Sequence, residues 1–155
     1  MAKTIEQEIL IDAPVDVVWR AVTEPEQVSV WFSDEVDLET KPGYEGALTF
    51  TDHATKHSHV AHITVQSVEP ERFFSYRWEH EVGTVAADGN SLLVEFTLTP
   101  EGQGTRLRVV ESGLESIGWP QERQDTHAEE HIEGWAIHLG RLRDMFGRQE
   151  AEQAS

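Results

Sequence analysis

The chain has 155 residues, 29 acidic against 12 basic side chains, a formal charge of -17 and no cysteine. A chain of that length suits one domain burying about 70% of its unfolded surface, and the missing thiols exclude disulfides, Cys-ligated zinc, iron–sulfur clusters and thiol nucleophiles. The negative charge opposes phosphate backbones and anionic lipid surfaces, so nucleic acid is not an expected partner.

No stretch approaches about 18 consecutive apolar residues, and the opening Met1-Ala2-Lys3-Thr4 has no apolar signal region. A cytoplasmic protein without membrane insertion is expected. No repeat, low-complexity tract or linker divides the chain, so a single domain is expected over 1–155, with its core at about 4–147 and flexible termini.

Thr4 to Asp12 carries Ile5, Ile9 and Ile11 and reads as a first strand. Asp12 or Ala13 is the expected N-cap of a short helix with Pro14 in its first turn, where the missing N–H costs nothing. Val17, Val18, Ala21 and Val22 give that helix an apolar side, and Glu24-Pro25 restarts a second helix in which Val28, Trp31 and Phe32 recur.

From Tyr44 to Gly113 the pattern is an antiparallel meander. Leu48 and Phe50 alternate with polar neighbours, as do Ala61, Ile63 and Val65; Phe74, Tyr76 and Trp78; and Leu92, Val94, Phe96 and Leu98. Glu101-Gly102-Gln103-Gly104 reads as a hairpin connection, after which Leu107, Val109 and Glu111 share one parity. The stripe Ile132, Trp135, Leu139, Leu142, Phe146 then describes one long amphipathic helix. About seven strands followed by a long terminal helix predict an α+β domain whose curved sheet wraps that helix, with two short helices after the first strand.

The ordered set Ile11-Asp12-Ala13-Pro14, Val18-Trp19, Trp31-Phe32, Pro70-Glu71-Arg72-Phe73, Ser91-Leu92-Leu93-Val94, Gly104-Thr105-Arg106-Leu107 and Glu133-Gly134-Trp135 resembles the START-like superfamily. More narrowly it resembles the bacterial family named after the activator of heat-shock protein 90 ATPase, with the helix-grip fold of the birch-pollen allergen. The resemblance spans nearly the whole chain and implies a cavity between the sheet and the C-terminal helix. It does not imply a known reaction. Proteins that stimulate the chaperone carry a separate N-terminal chaperone-binding domain with no counterpart in these residues, so chaperone binding is not expected.

Within such a container the expected cavity residues are Trp31, Phe32, Phe50, His59, Ile63, Phe74, Tyr76, Trp78, Val94, Phe96, Val109, Trp119, Trp135 and His138. Core packing alone accounts for Trp19 and Trp135, because aromatic rings dominate buried area. Trp31-Phe32 and Trp78 fit a cavity rim, and Trp119-Pro120 fits either a lid or a surface turn.

His57 and His59 share one strand face, with His53 just upstream and His62 on the other face. A His-x-His pair supplies two imidazole ligands of the kind zinc, copper or nickel takes, but spacing fixes no third ligand, so neither a metal nor another cofactor is expected. His127, His131 and His138 fall along one side of the terminal helix. His131, His138 and Glu111 are the candidate catalytic groups for proton transfer. Glu111 follows the inward parity, although a twist at the strand end that turns it outward is the simpler expectation; Arg77 and Arg108 have the opposite parity. No Ser-His-Asp order, phosphate loop or nucleotide fingerprint occurs.

The expected function is binding of a small hydrophobic or aromatic molecule, non-catalytic or regulatory, by a monomer or weak homodimer. The alternatives are a cyclase, dehydratase or isomerase using a cavity His or Glu, and a chaperone-accessory interaction module.

Overall fold

A computed structural model describes residues 4–51, 55–78 and 90–154, the stretch 147–154 by its backbone alone. Met1 to Lys3, His53 and His80 lie outside the described residues. The elements run β1 (Ile5–Ile11), α1 (Val15–Thr23), α2 (Pro25–Trp31), β2 (Glu35–Asp37), β3 (Glu45–Thr51), β4 (Ser58–Glu69), β5 (Phe73–Trp78), β6 (Leu92–Glu101), β7 (Gly104–Ser112), a 3-10 turn (Leu114–Ser116) and α3 (Gln121–Ala154). All seven strands pair antiparallel in the order β1-β7-β6-β5-β4-β3-β2. The fold is α+β and matches the helix-grip arrangement.

Pairing and burial follow the alternation. Leu92, Val94, Phe96 and Leu98 are all buried, and the register sets Val94 opposite Glu111, Phe96 opposite Val109 and Leu98 opposite Leu107. The opposite face of β1 and β7 is charged: Arg108 meets Glu6 at 2.8 Å, and Arg106 meets Glu8 at 3.1 Å and Glu101 at 2.7 Å. Such exposed pairs contribute about 0–1 kcal/mol each, so the buried face stabilises the sheet. A register shift between Val65 and Ser67 breaks the β4–β5 ladder. The extra residue bends the strand and adds twist, which curves the sheet toward α3.

Two local expectations need correction. Pro14, rather than Asp12 or Ala13, is the N-cap of α1, with φ -65° and ψ 158°. The Ala13 N–H bonds back to the Ile11 carbonyl, and the Pro14 carbonyl accepts the first helical bonds, from Val17 and Val18. The edge strand β2, paired with β3 through Val36 and Leu48, completes the expected seven. Ile132 is 49% exposed and does not belong to the inner stripe of α3. Going back from Trp135, the inward face passes through His131, Ala128 and Gln124 in steps of four, three and four, which leaves Ile132 on the shoulder of the helix.

The core lies between the inner sheet face and the three helices. Trp135, Leu139 and Leu142 of α3 are buried against it, with Val18, Ala21 and Val22 of α1 and Val28 and Trp31 of α2. Trp19 is partly buried and meets Phe74 edge-on at 6.4 Å. No helix among the described residues is long and apolar enough to cross a membrane.

Candidate functional site

The site begins with Glu111. Inward parity along β7 continues from Leu107 and Val109 to Glu111, which is 0% exposed. The outward twist does not occur, because the ladders hold past this position: Ile5 pairs with Glu111 on one side, and Leu93 with Ser112 on the other. A carboxylate is thereby placed under a sheet of apolar side chains, where only hydrogen-bond donors can make its burial tolerable.

Four ring nitrogens surround it. The Trp78 indole N–H, from the end of β5, donates to Oε2 at 2.8 Å, and the Trp135 indole N–H, from α3, donates to Oε1 at 3.0 Å. His131 Nδ1 lies 2.7 Å from Oε1, and His127 Nε2 lies 3.5 Å from Oε2. Burial alone would raise the Glu111 pKa; the facing imidazoles of His127 and His131 and the Trp135 indole outweigh it and hold the carboxyl at about 2. An ionised carboxylate accepts only, so His131 Nδ1 carries the hydrogen in their shared bond. His127 Nε2, which is buried, faces Oε2 at 3.5 Å, longer than an ordinary N–H···O bond, and has no closer hydrogen-bond partner. The two imidazoles stack with centroids 3.6 Å apart and planes at 29°.

A pocket of about 490 Å³ opens beside this cluster. Its sheet wall is Phe50 of β3, His59 and Ala61 of β4 and Trp78 of β5; its helix wall is His127, Glu130, His131, Gly134, Trp135 and His138 of α3; Phe32, just after α2, closes one end. Phe32 organises the apolar part. Its ring stacks on Trp31 at 5.0 Å and on Trp135 at 5.1 Å, and meets Phe50 and His138 edge-on at 5.3 Å and 5.1 Å. Such ring pairs add about 0.5–1.5 kcal/mol each beyond area burial, so this wall is stiff.

His138 is fixed from behind. Its Nδ1 faces the Trp31 carbonyl at 3.3 Å, and since a carbonyl only accepts, Nδ1 carries the hydrogen and the neutral ring keeps Nε2 as an acceptor. Burial lowers the His138 pKa against the pull of that carbonyl, and Arg141 and His131 lower it further.

Of the residues expected to form a cavity, Phe32, Phe50, His59, Trp78, Trp135 and His138 line this pocket. Trp31, Ile63, Phe74, Tyr76, Val94, Phe96 and Val109 are buried and do not line it; Trp31, Ile63, Phe74, Tyr76 and Phe96 border a small void deeper in the core. Trp31 turns away from the pocket because its indole N–H is bound by the Ala21 carbonyl at 2.8 Å, which ties α2 to α1. Trp119 does not line the pocket; its ring packs against His127, which does, at 5.2 Å, with the Arg123 guanidinium 3.8 Å above it. Of the candidate proton-transfer groups, Glu111 and His131 meet, whereas His138 stands further along the wall. His57 precedes β4 and is exposed, and the His57/His59 pair gathers no third ligand among the described residues. Sequence reasoning missed His127 as a site residue; its signal was the four-residue offset from His131, which sets both rings on one side of α3.

The model of the family described as "Activator of Hsp90 ATPase homolog 1-like protein" matches residues 12–147. The chain belongs to this family. Among solved structures it is similar to protein MLL2253 from Mesorhizobium loti, at 25% identity and TM-score 0.74, covering 94% of this chain and 98% of that one. It is also similar to DynU16, described as a putative protein in the dynemicin biosynthetic locus, at 25% identity and TM-score 0.68; 91% of this chain matches but only 46% of DynU16. The Aha1 dimer from Colwellia psychrerythraea shares the fold at 16% identity and TM-score 0.69, with 93% and 96% covered. No curated protein is significantly similar in sequence. This START-like family fold is consistent with ligand binding.

Proposed function

We propose that the chain binds a small, largely apolar molecule carrying one polar group, in the pocket between the sheet and α3. The observation that carries this reading is the mixed lining of the pocket: the rings of Phe32, Phe50, Trp78 and Trp135, with the imidazoles of His131 and His138 set among them. Small-molecule sites join apolar and aromatic walls to convergent polar groups, and this pocket sets four histidines and a glutamate among six apolar residues. An aromatic or polycyclic body fits the ring wall, and a hydroxyl or carbonyl on it meets the imidazoles. The likeness to DynU16 supports a biosynthetic small molecule as the occupant.

Native mass spectrometry of protein purified from its own host, followed by titration of the recovered or candidate compounds against tryptophan emission, tests the proposal. A retained organic mass, and emission from Trp78 and Trp135 that shifts saturably with that compound, is the expected result. No retained mass together with unchanged emission across a panel of aromatic and polyketide-like compounds would overturn it.

A second reading rests on the 2.7 Å contact of His131 with Glu111. A carboxylate that orients an imidazole at a pocket wall is an arrangement for general acid–base catalysis. It makes the same pocket the site of a cyclase, dehydratase or isomerase. Conversion of the bound compound, abolished by His131→Gln with binding retained, distinguishes this from simple carriage.

A further inference from the structure

Glu111, His127 and His131 form a second arrangement with chemistry of its own. One ligand-type atom from each lies within 4.8 Å of the others. Two histidines one helical turn apart plus a carboxylate from a facing strand make a two-imidazole, one-carboxylate donor set, which suits divalent first-row transition ions. In a tetrahedral site with bonds of about 2.1 Å, neighbouring donors stand about 3.4 Å apart. Here Glu111 Oε1 is 2.7 Å from His131 Nδ1 and the other carboxylate oxygen, Oε2, is 3.5 Å from His127 Nε2, so small shifts of the two rings reach that spacing.

Two further observations point to a ligand. His127 Nε2 is buried, and its one facing group, Glu111 Oε2 at 3.5 Å, is too far for a well-formed hydrogen bond. A buried imidazole nitrogen in that condition calls for a partner. The carboxylate, in turn, is held from behind by the indole N–H groups of Trp78 and Trp135, the kind of outer support that fixes a metal ligand's orientation. His127 and His131 also line the pocket, so an ion between them has an entry path and open coordination positions toward the cavity.

We propose that Glu111, His127 and His131 bind one divalent transition-metal ion, which replaces the proton on His131 Nδ1 as that proton is released to solvent, with the imidazoles splaying from their 29° stack to place both nitrogens on it. The site does not depend on the organic ligand proposed above. Trp78 acts as a positioning residue through Glu111.

Titration of the metal-free protein with Zn²⁺ by calorimetry, and with Co²⁺ by visible absorption, tests this. The expected result is one ion per chain, a cobalt spectrum of low coordination number, and binding weakened well beyond tenfold in His127→Ala and His131→Ala variants that keep the wild-type circular dichroism. Trp78→Phe is expected to weaken it by about 10–100-fold, as loss of an outer partner does. The His57→Ala variant, at an exposed histidine outside the pocket, is expected to bind as wild type. Absence of saturable binding, equal binding in the His127→Ala variant, or loss only in the His57→Ala variant would each overturn the proposal.

Discussion

The Trp78 indole N–H donates to the Glu111 carboxylate at 2.8 Å, joining positions 33 apart in the chain. The bond links the end of β5 to the end of β7 beneath α3, where Trp135 completes the clamp. A carboxylate so enclosed has no room for a donor of its own. Glu111→Gln puts an amide NH₂ where an oxygen accepts, so one of the facing N–H groups loses its partner while buried. The expected cost is about 1–3 kcal/mol. Urea unfolding followed by circular dichroism measures it, and an unchanged midpoint would show that the clamp contributes nothing to stability.

The His138 pKa lies below the ordinary 6.5, chiefly through burial. Its folded value is therefore lower than its unfolded one. Above 6.5 neither state holds the proton; below it the unfolded chain takes up the proton first, so stability falls from that point until the pH passes the folded value. The groups bearing on it are Arg141 and His131, which disfavour the charge, and the Trp31 carbonyl, which favours it. In His138→Gln this dependence is removed. The stability difference between wild type and variant should shrink from about pH 8 to about pH 5, and a constant difference would contradict the assignment.

Strand alternation made most of the sheet legible, because a one-residue slip would turn every apolar side chain of β6 outward. Val36 alone offers no period over the three residues of β2, so that edge strand left no pattern to read. The same alternation put Glu111 on the inward parity, yet its burial was not expected, since the donors that make it tolerable come from Trp78, His131 and Trp135, distant in sequence. Likewise His57 and His59 looked like a shared strand face, but the ladder begins at Ser58. Periodicity reports which face a residue has; it does not report which partners wait there.

Gly46 lies in β3 against the edge strand β2, where an added Cβ would overlap the Asp37 backbone carbonyl oxygen. Backbone cannot give way as a flexible side chain does, so Gly46→Ala must push β2 off the sheet. A loss of about 1–3 kcal/mol is expected, with faster amide exchange at Glu35–Asp37. Exchange that quickens uniformly across the sheet would instead mean a global effect.

Gly134 and Gly140 both sit inside α3, and a Cβ at either meets nothing within 4 Å. Helix interior glycine costs about 0.5–1 kcal/mol relative to alanine, so Gly140→Ala should raise stability by that amount. The two positions differ in one respect: Gly134 lines the pocket and Gly140 does not. Gly134→Leu therefore grows into the pocket volume rather than into protein. It should keep the fold while weakening uptake of an apolar fluorescent probe at least roughly tenfold, equivalent to about 1.4 kcal/mol. Gly140→Ala should leave that uptake unchanged. Wild-type probe affinity in Gly134→Leu would place the probe elsewhere and remove the pocket as the binding site for compounds of that kind.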